Sequence, residues 1–207
     1  MSQELKQIEL QEKINDLDKL RYHQLFFDYS LSKNWLKKPF LLIFKLFFKI
    51  QNKPAIDHCC HISRFIPYEK DKKTMYIAKV FEATLHGGME ENDLFDKLKH
   101  FKGKIYIRTL GRIDKEKARE FEKKYTGQPY DTLRAGLAGL DIDFIDKYLN
   151  LEEKESGFCS WLEALFMENQ GYNIKNIEKG IALEITPTDL FQAQFSSYPI
   201  KLFYNSK

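Results

Sequence analysis

The chain has 207 residues, 43% hydrophobic and 14% aromatic, enough to bury one sizeable core and free of the bias that marks disordered or repetitive chains. Its 33 basic and 30 acidic residues leave a net charge of +3, too even a balance for a dedicated nucleic-acid surface. Three cysteines, two of them adjacent, do not make a disulfide framework, and the polar start Met1-Ser2-Gln3-Glu4-Leu5-Lys6 lacks the layout of a signal peptide, so a reducing, cytoplasmic setting is expected.

Over residues 2–29 the apolar positions Leu5, Ile8, Leu17, Leu20 and Leu25 recur at helical spacing among Glu, Lys and Gln, which predicts one or two amphipathic helices in an N-terminal arm, residues 1–53. Residues 39–50, Pro-Phe-Leu-Leu-Ile-Phe-Lys-Leu-Phe-Phe-Lys-Ile, are strongly apolar but too short to cross a bilayer. They suit a helix packed on the core or a partner, or one lying in a membrane interface with Lys45 and Lys49 toward headgroups. After Pro54 the texture changes to that of strands. Residues 56–66 and 75–84 are rich in Ile, Val, Phe and Tyr and are joined by the polar Tyr68-Glu69-Lys70-Asp71-Lys72-Lys73, a hairpin signal. Residues 104–110 alternate as a further strand. Residues 114–125 read as a solvated helix opened by Asp114 and closed by Gly127-Gln128-Pro129-Tyr130. Residues 132–149 are expected to be partly helical, a helix begins near Cys159, and residues 180–185 and 200–204 read as late strands. Helical arm, strands, helices and strands in that order predict an α+β fold, with residues 54–207 as its domain.

Gly157-Phe158-Cys159-Ser160-Trp161-Leu162-Glu163 places a cysteine at a helix start, where the macrodipole and unpaired backbone donors stabilise a thiolate. Phe158, Trp161, Leu162, Leu165 and Phe166 would form one apolar stripe, with Glu163 off it, Ser156 or Gly157 as cap, and Cys159 exposed at the end. The plainer alternative is that Cys159 is a small buried hydrophobe. A thiol nucleophile needs an imidazole and a third polar group that orients it. His58 opens the first strand and His61 points to its other face, so only one of them can meet Cys159. Glu82, among apolar residues of the next strand, needs a partner to offset its desolvation, and a histidine on the neighbouring strand would serve. The ordinary alternatives are a hydrogen-bonded core histidine and an exposed strand carboxylate. His58, Cys59, Cys60, His61 and Cys159 are all zinc-type ligands, but four contiguous ligands in a strand alternate between faces and lack the usual spacing of structural sites.

The order of Asp57-His58-Cys59-Cys60-His61-Ile62, Phe81-Glu82-Ala83-Thr84, Gly127-Gln128-Pro129-Tyr130-Asp131 and Phe158-Cys159-Ser160-Trp161-Leu162-Glu163 resembles the circularly permuted papain-like hydrolases, relatives of the NlpC-type peptidases that include the YiiX-type proteins. In that branch the histidine strand precedes the cysteine helix. The resemblance covers roughly residues 54–190. It implies a papain-like antiparallel sheet packed on helices, with Cys159 as nucleophile, His58 as general base, Glu82 as orienting residue, and Tyr130 and Asp131 shaping the substrate site. It further implies a thiol hydrolase or acyltransferase acting on an amide or ester of a peptide, a cell-wall peptide or a lipid, without metal or organic cofactor. A bacterial or phage setting would fit. The rival expectation is an inactive papain-like scaffold that binds a partner or membrane surface through its N-terminal arm.

Overall fold

The computed structural model describes residues 3–29, 56–99, 101–132, 158–172, 185–193 and 199–205. In chain order these form α1 (Gln3–Asp16), β1 (Arg21–Asp28), β2 (His58–Lys70), β3 (Lys73–Thr84), β4 (Gly88–Asp93), α2 (Leu94–Leu98), β5 (Lys104–Arg112), α3 (Lys115–Tyr125), α4 (Cys159–Asn169), α5 (Pro187–Gln192) and β6 (Ile200–Asn205). The strands make one open six-stranded sheet in the order β4-β3-β2-β1-β5-β6, antiparallel throughout. The protein is therefore α+β, with helices on both faces of an antiparallel sheet.

Local chemistry explains several boundaries. The β2–β3 hairpin closes through Asp71 and Lys72, both left-handed at φ 51° and 59°, a two-residue turn whose twist matches that of the flanking strands. Asp114 caps α3 by accepting from the N–H groups of Glu116 and Lys117, as the sequence signal predicts. Thr186 and Asp189 cap α5 reciprocally, with Pro187 in its first turn.

Register divides β2 between two cores. Phe27 pairs with His58, Phe26 with Cys59, Leu25 with Cys60, and His61 with Phe81. Alternation puts Cys59, His61 and Phe81 on the face covered by α4, with Tyr22, Phe26, Leu162 and Phe166 in the same core. Cys60, Ile62, Val80 and Leu25 lie on the other face, under Leu10 and Ile14 of α1 and Leu94 and Leu98 of α2. Glu82, one step beyond the His61–Phe81 pair, falls on the Cys60 side, and so does His58.

The expected helix over residues 2–29 stops at Asp16, and Arg21–Asp28 is a strand paired on both sides, with β2 and with β5. Tyr22, Leu25, Phe26 and Phe27 are buried in it, so this stretch of the expected arm is the interior of the sheet. Leu17, Leu20 and Leu25 imitate helical spacing, but a strand buried on both faces carries no alternation to contradict them. The strands expected over 56–66, 75–84, 104–110 and 200–204 match β2, β3, β5 and β6. Residues 39–50, the helix expected over 132–149 past Thr132, and the strand expected over 180–185 short of Ile185 lie outside the described residues.

Candidate active site

Cys159 is the first residue of α4. Its cap is the backbone of Phe158, which has no side-chain hydrogen bond to the helix, so Ser156 and Gly157 are not the cap expected from sequence. Leu162 N–H bonds Phe158 C=O at 2.9 Å, which leaves the N–H groups of Cys159, Ser160 and Trp161 without an acceptor inside the helix. Cys159 is buried, 6% exposed, and not at an open helix end as expected, because α4 lies with its start against β2.

His58 opens β2 and leans from the strand's end. Its Nε2 meets Glu82 Oε2 on β3 at 2.6 Å, and its ring also hydrogen-bonds Cys159. With Nε2 held by Glu82, Nδ1 is the nitrogen left for the sulfur. Glu82 is itself fixed, Oε1 accepting from Asn92 Nδ2 at 3.1 Å and Oε2 from the Lys97 ammonium. Lys97 in turn lies over the Phe27 ring at 4.9 Å from its centroid. Cys159, His58 and Glu82 are thus brought together.

The electrostatics favour a charged pair. A hydrogen bond from the Cys59 thiol, opposed by burial and helped by the His58 imidazolium and the Cys59 backbone N–H, holds Cys159 well below the usual thiol range. Burial and Lys97 push His58 down, but the Cys159 charge and the hydrogen bonds to Cys159 and Glu82 outweigh them and raise its pKa. Burial would raise Glu82, yet the hydrogen bond and charge of His58, with Lys97, bring it to about 2. Cys59 stays a thiol, raised chiefly by burial and by its bond to Cys159.

Tyr130 reaches the same sulfur by a side-chain hydrogen bond, and burial together with the neighbouring Cys159 charge keeps its phenol protonated. It is held there because Gly127 N–H bonds Met89 C=O and Met89 N–H bonds Gln128 C=O, both at 2.9 Å, which docks the 127–130 turn on the start of β4. Gly88, at φ +71°, is required at that contact, since a Cβ would stand 2.4 Å from Gln128 O. Asp131 is half-buried and acts on Tyr130 through its charge.

His61 is elsewhere. Its Nδ1 meets Glu163 Oε2 at 2.9 Å and its Nε2 meets Glu122 Oε1 at 3.3 Å, on the α4 face of the sheet and away from Glu82. Glu163 is therefore buried, and the expectation that it lies off the apolar stripe of α4 is corrected. A polar side chain on an apolar helix face becomes legible only once its strand partner is known. Asn92 was missed because Gly88–Asp93 is acidic and carries no strand signal, and Lys97 because it lies on the short helix Leu94–Leu98 that follows. Cys59 was read as a possible ligand and not as a donor to Cys159.

His58, Cys60 and Glu82 present ligand-type atoms within 4.8 Å of one another. The Lys97 ammonium and His58 Nε2 both meet Glu82 Oε2, so a cation there would have to displace them.

No family model, curated protein or solved structure matches the chain. Among the described residues no helix is long and apolar enough to cross a membrane.

Proposed function

We propose that the chain is a cysteine-dependent hydrolase or acyltransferase of the permuted papain-like type, acting on an amide or ester carbonyl. The observation that carries the reading is the line from Cys159 through His58 to Glu82, a thiol at a helix start with an imidazole whose far nitrogen is bound to a buried carboxylate. The antiparallel sheet with the cysteine helix across its face supports the same class.

In this reading the Cys159 thiolate adds to the carbonyl carbon, and the carbonyl oxygen becomes an oxyanion beside the first-turn N–H groups of α4, which have no acceptor inside the helix. His58 gives its proton to the leaving amine or alcohol, and the C–N or C–O bond breaks to leave a thioester on Cys159. Water or another acceptor then loses a proton to His58 and displaces the sulfur. Glu82 keeps Nε2 protonated and the ring turned toward Cys159. Peptides, cell-wall peptides and lipid amides or esters are the substrate classes to test.

The test is the rate of iodoacetamide labelling at each cysteine against pH, with sites read by mass spectrometry, in the parent and in His58→Ala. Labelling of Cys159 that persists well below the ordinary thiol pKa of about 8.5, and is slowed in the variant, is expected. Slow labelling indifferent to His58 would sink the reading and leave the scaffold alternative. A thioester on Cys159 after exposure to an activated acyl ester is the accompanying positive result.

A further inference from the structure

We propose that the buried pair Glu163–His61, backed by Tyr22, is a positioning lock that sets the axial register of α4 on the sheet and so holds Cys159 at His58. The proposal rests on the thiol-hydrolase reading of that site.

Apolar packing is non-directional and tolerates sliding, whereas hydrogen bonds between buried groups define discrete positions. α4 turns one row of side chains, at 159, 163 and 167, toward the sheet, and each makes a polar contact with a different strand residue. Cys159 takes the thiol hydrogen bond of Cys59. Glu163 accepts from Tyr22 Oη at Oε1 and meets His61 Nδ1 at Oε2, 2.9 Å away. The Met167 sulfur accepts from Gln24 Nε2 at 3.3 Å, and Gln24 is the β1 partner of His61. Only the middle contact joins fully buried charged groups, so it is the one whose loss is most costly.

The imidazole is fixed in every direction. Its plane is stacked on Phe166 of the same helix, centroids 3.6 Å apart and 11° between planes. Both its nitrogens face carboxylates, Glu163 on α4 and Glu122 on α3, so both carry hydrogen and the ring is an imidazolium. The other titratable or charged groups acting on this cluster are Tyr22 of β1, Cys59 and Cys60 of β2 and Arg108 of β5. One helical turn, about 6 Å, separates Glu163 from Cys159, and three strand residues, about 10 Å, separate His61 from His58. A shift of the lock therefore arrives nearly undiminished at the sulfur, where a misplacement of about 1 Å can cost on the order of 100-fold in rate.

The deciding measurement is the pH profile of Cys159 alkylation in the full chain for the parent, His58→Ala, Glu163→Gln and Phe203→Ala. Phe203→Ala opens a cavity in the opposite core and controls for lost stability alone. In folded Glu163→Gln the profile is expected to move toward the ordinary thiol range, with labelling near pH 6.5 slowed about tenfold, while Phe203→Ala leaves it in place. A Glu163→Gln profile superimposed on the parent's, with His58→Ala still slow, overturns the lock and leaves the hydrolase reading standing. An ordinary parent profile that His58→Ala does not change overturns both. Should Glu163→Gln fail to fold, Tyr22→Phe removes a single hydroxyl from Glu163. A two- to threefold slowing in the same direction is expected of it, and an unchanged profile overturns the proposal.

Discussion

Glu82 illustrates how a residue's surroundings decide its role. Its carboxylate is 1% exposed and would be protonated by burial alone, but His58, Asn92 and Lys97 all donate to it. Its folded pKa of about 2 lies below the ordinary 4.5, so the stabilisation it contributes is complete above about pH 4.5 and is lost as pH falls toward 2. Glu82→Gln should therefore be less stable than the parent at pH 7, by on the order of 3 kcal/mol, with the gap closing as both are acidified. Urea midpoints measured from pH 7 to 2.5 check this, and a gap constant with pH would contradict it. The same variant should slow Cys159 labelling near pH 6, because the imidazolium that stabilises the thiolate loses its counter-charge.

Among the elements, the β2–β3 hairpin carries a local conflict. Asp71 and Lys72 both hold positive φ, a conformation that suits Asn-Gly and costs an ordinary side chain. Asp71→Asn combined with Lys72→Gly should raise the melting temperature, corresponding to up to about 1 kcal/mol, with the register unchanged. An unchanged or lower melting temperature would mean that the exposed turn contributes nothing that the strands do not already supply. α4 shows a different balance. Its stripe was legible from Leu162 and Phe166, but its polar row was not, because Glu163 looks solvent-facing until Tyr22 and His61 are placed beneath it.

For the whole molecule, β1 matters most. It pairs with β2 on one side and β5 on the other, so the sheet is held together by a strand from within the expected N-terminal arm. A chain of residues 54–207 would lack it and expose unpaired edges on both neighbours, along with the apolar surface that covers Tyr22, Leu25, Phe26 and Phe27. That fragment should show no cooperative thermal unfolding, whereas the full chain should show one transition. A cooperative melt of the fragment would establish residues 54–207 as a unit on their own.

The sequence by itself determined what depends on nearest neighbours and short periods. The alternating runs that became β2, β3, β5 and β6, the Asp114 cap, and the helix beginning at Cys159 are of this kind. Cys159, His58 and Glu82 could be picked out as candidates by residue type alone, since a thiol nucleophile calls for an imidazole and an orienting group. Only the tertiary structure distinguishes the surroundings of His58 and His61, because distant strands and helices bring Glu82 to one and Glu163 with Glu122 to the other. It also decided that β1 is a strand, since burial on both faces removes the alternation that would have marked it. Lys97 and Cys59 became part of the site by the same route: side-chain chemistry is written locally, while the field that charges it comes from contacts far apart in the chain.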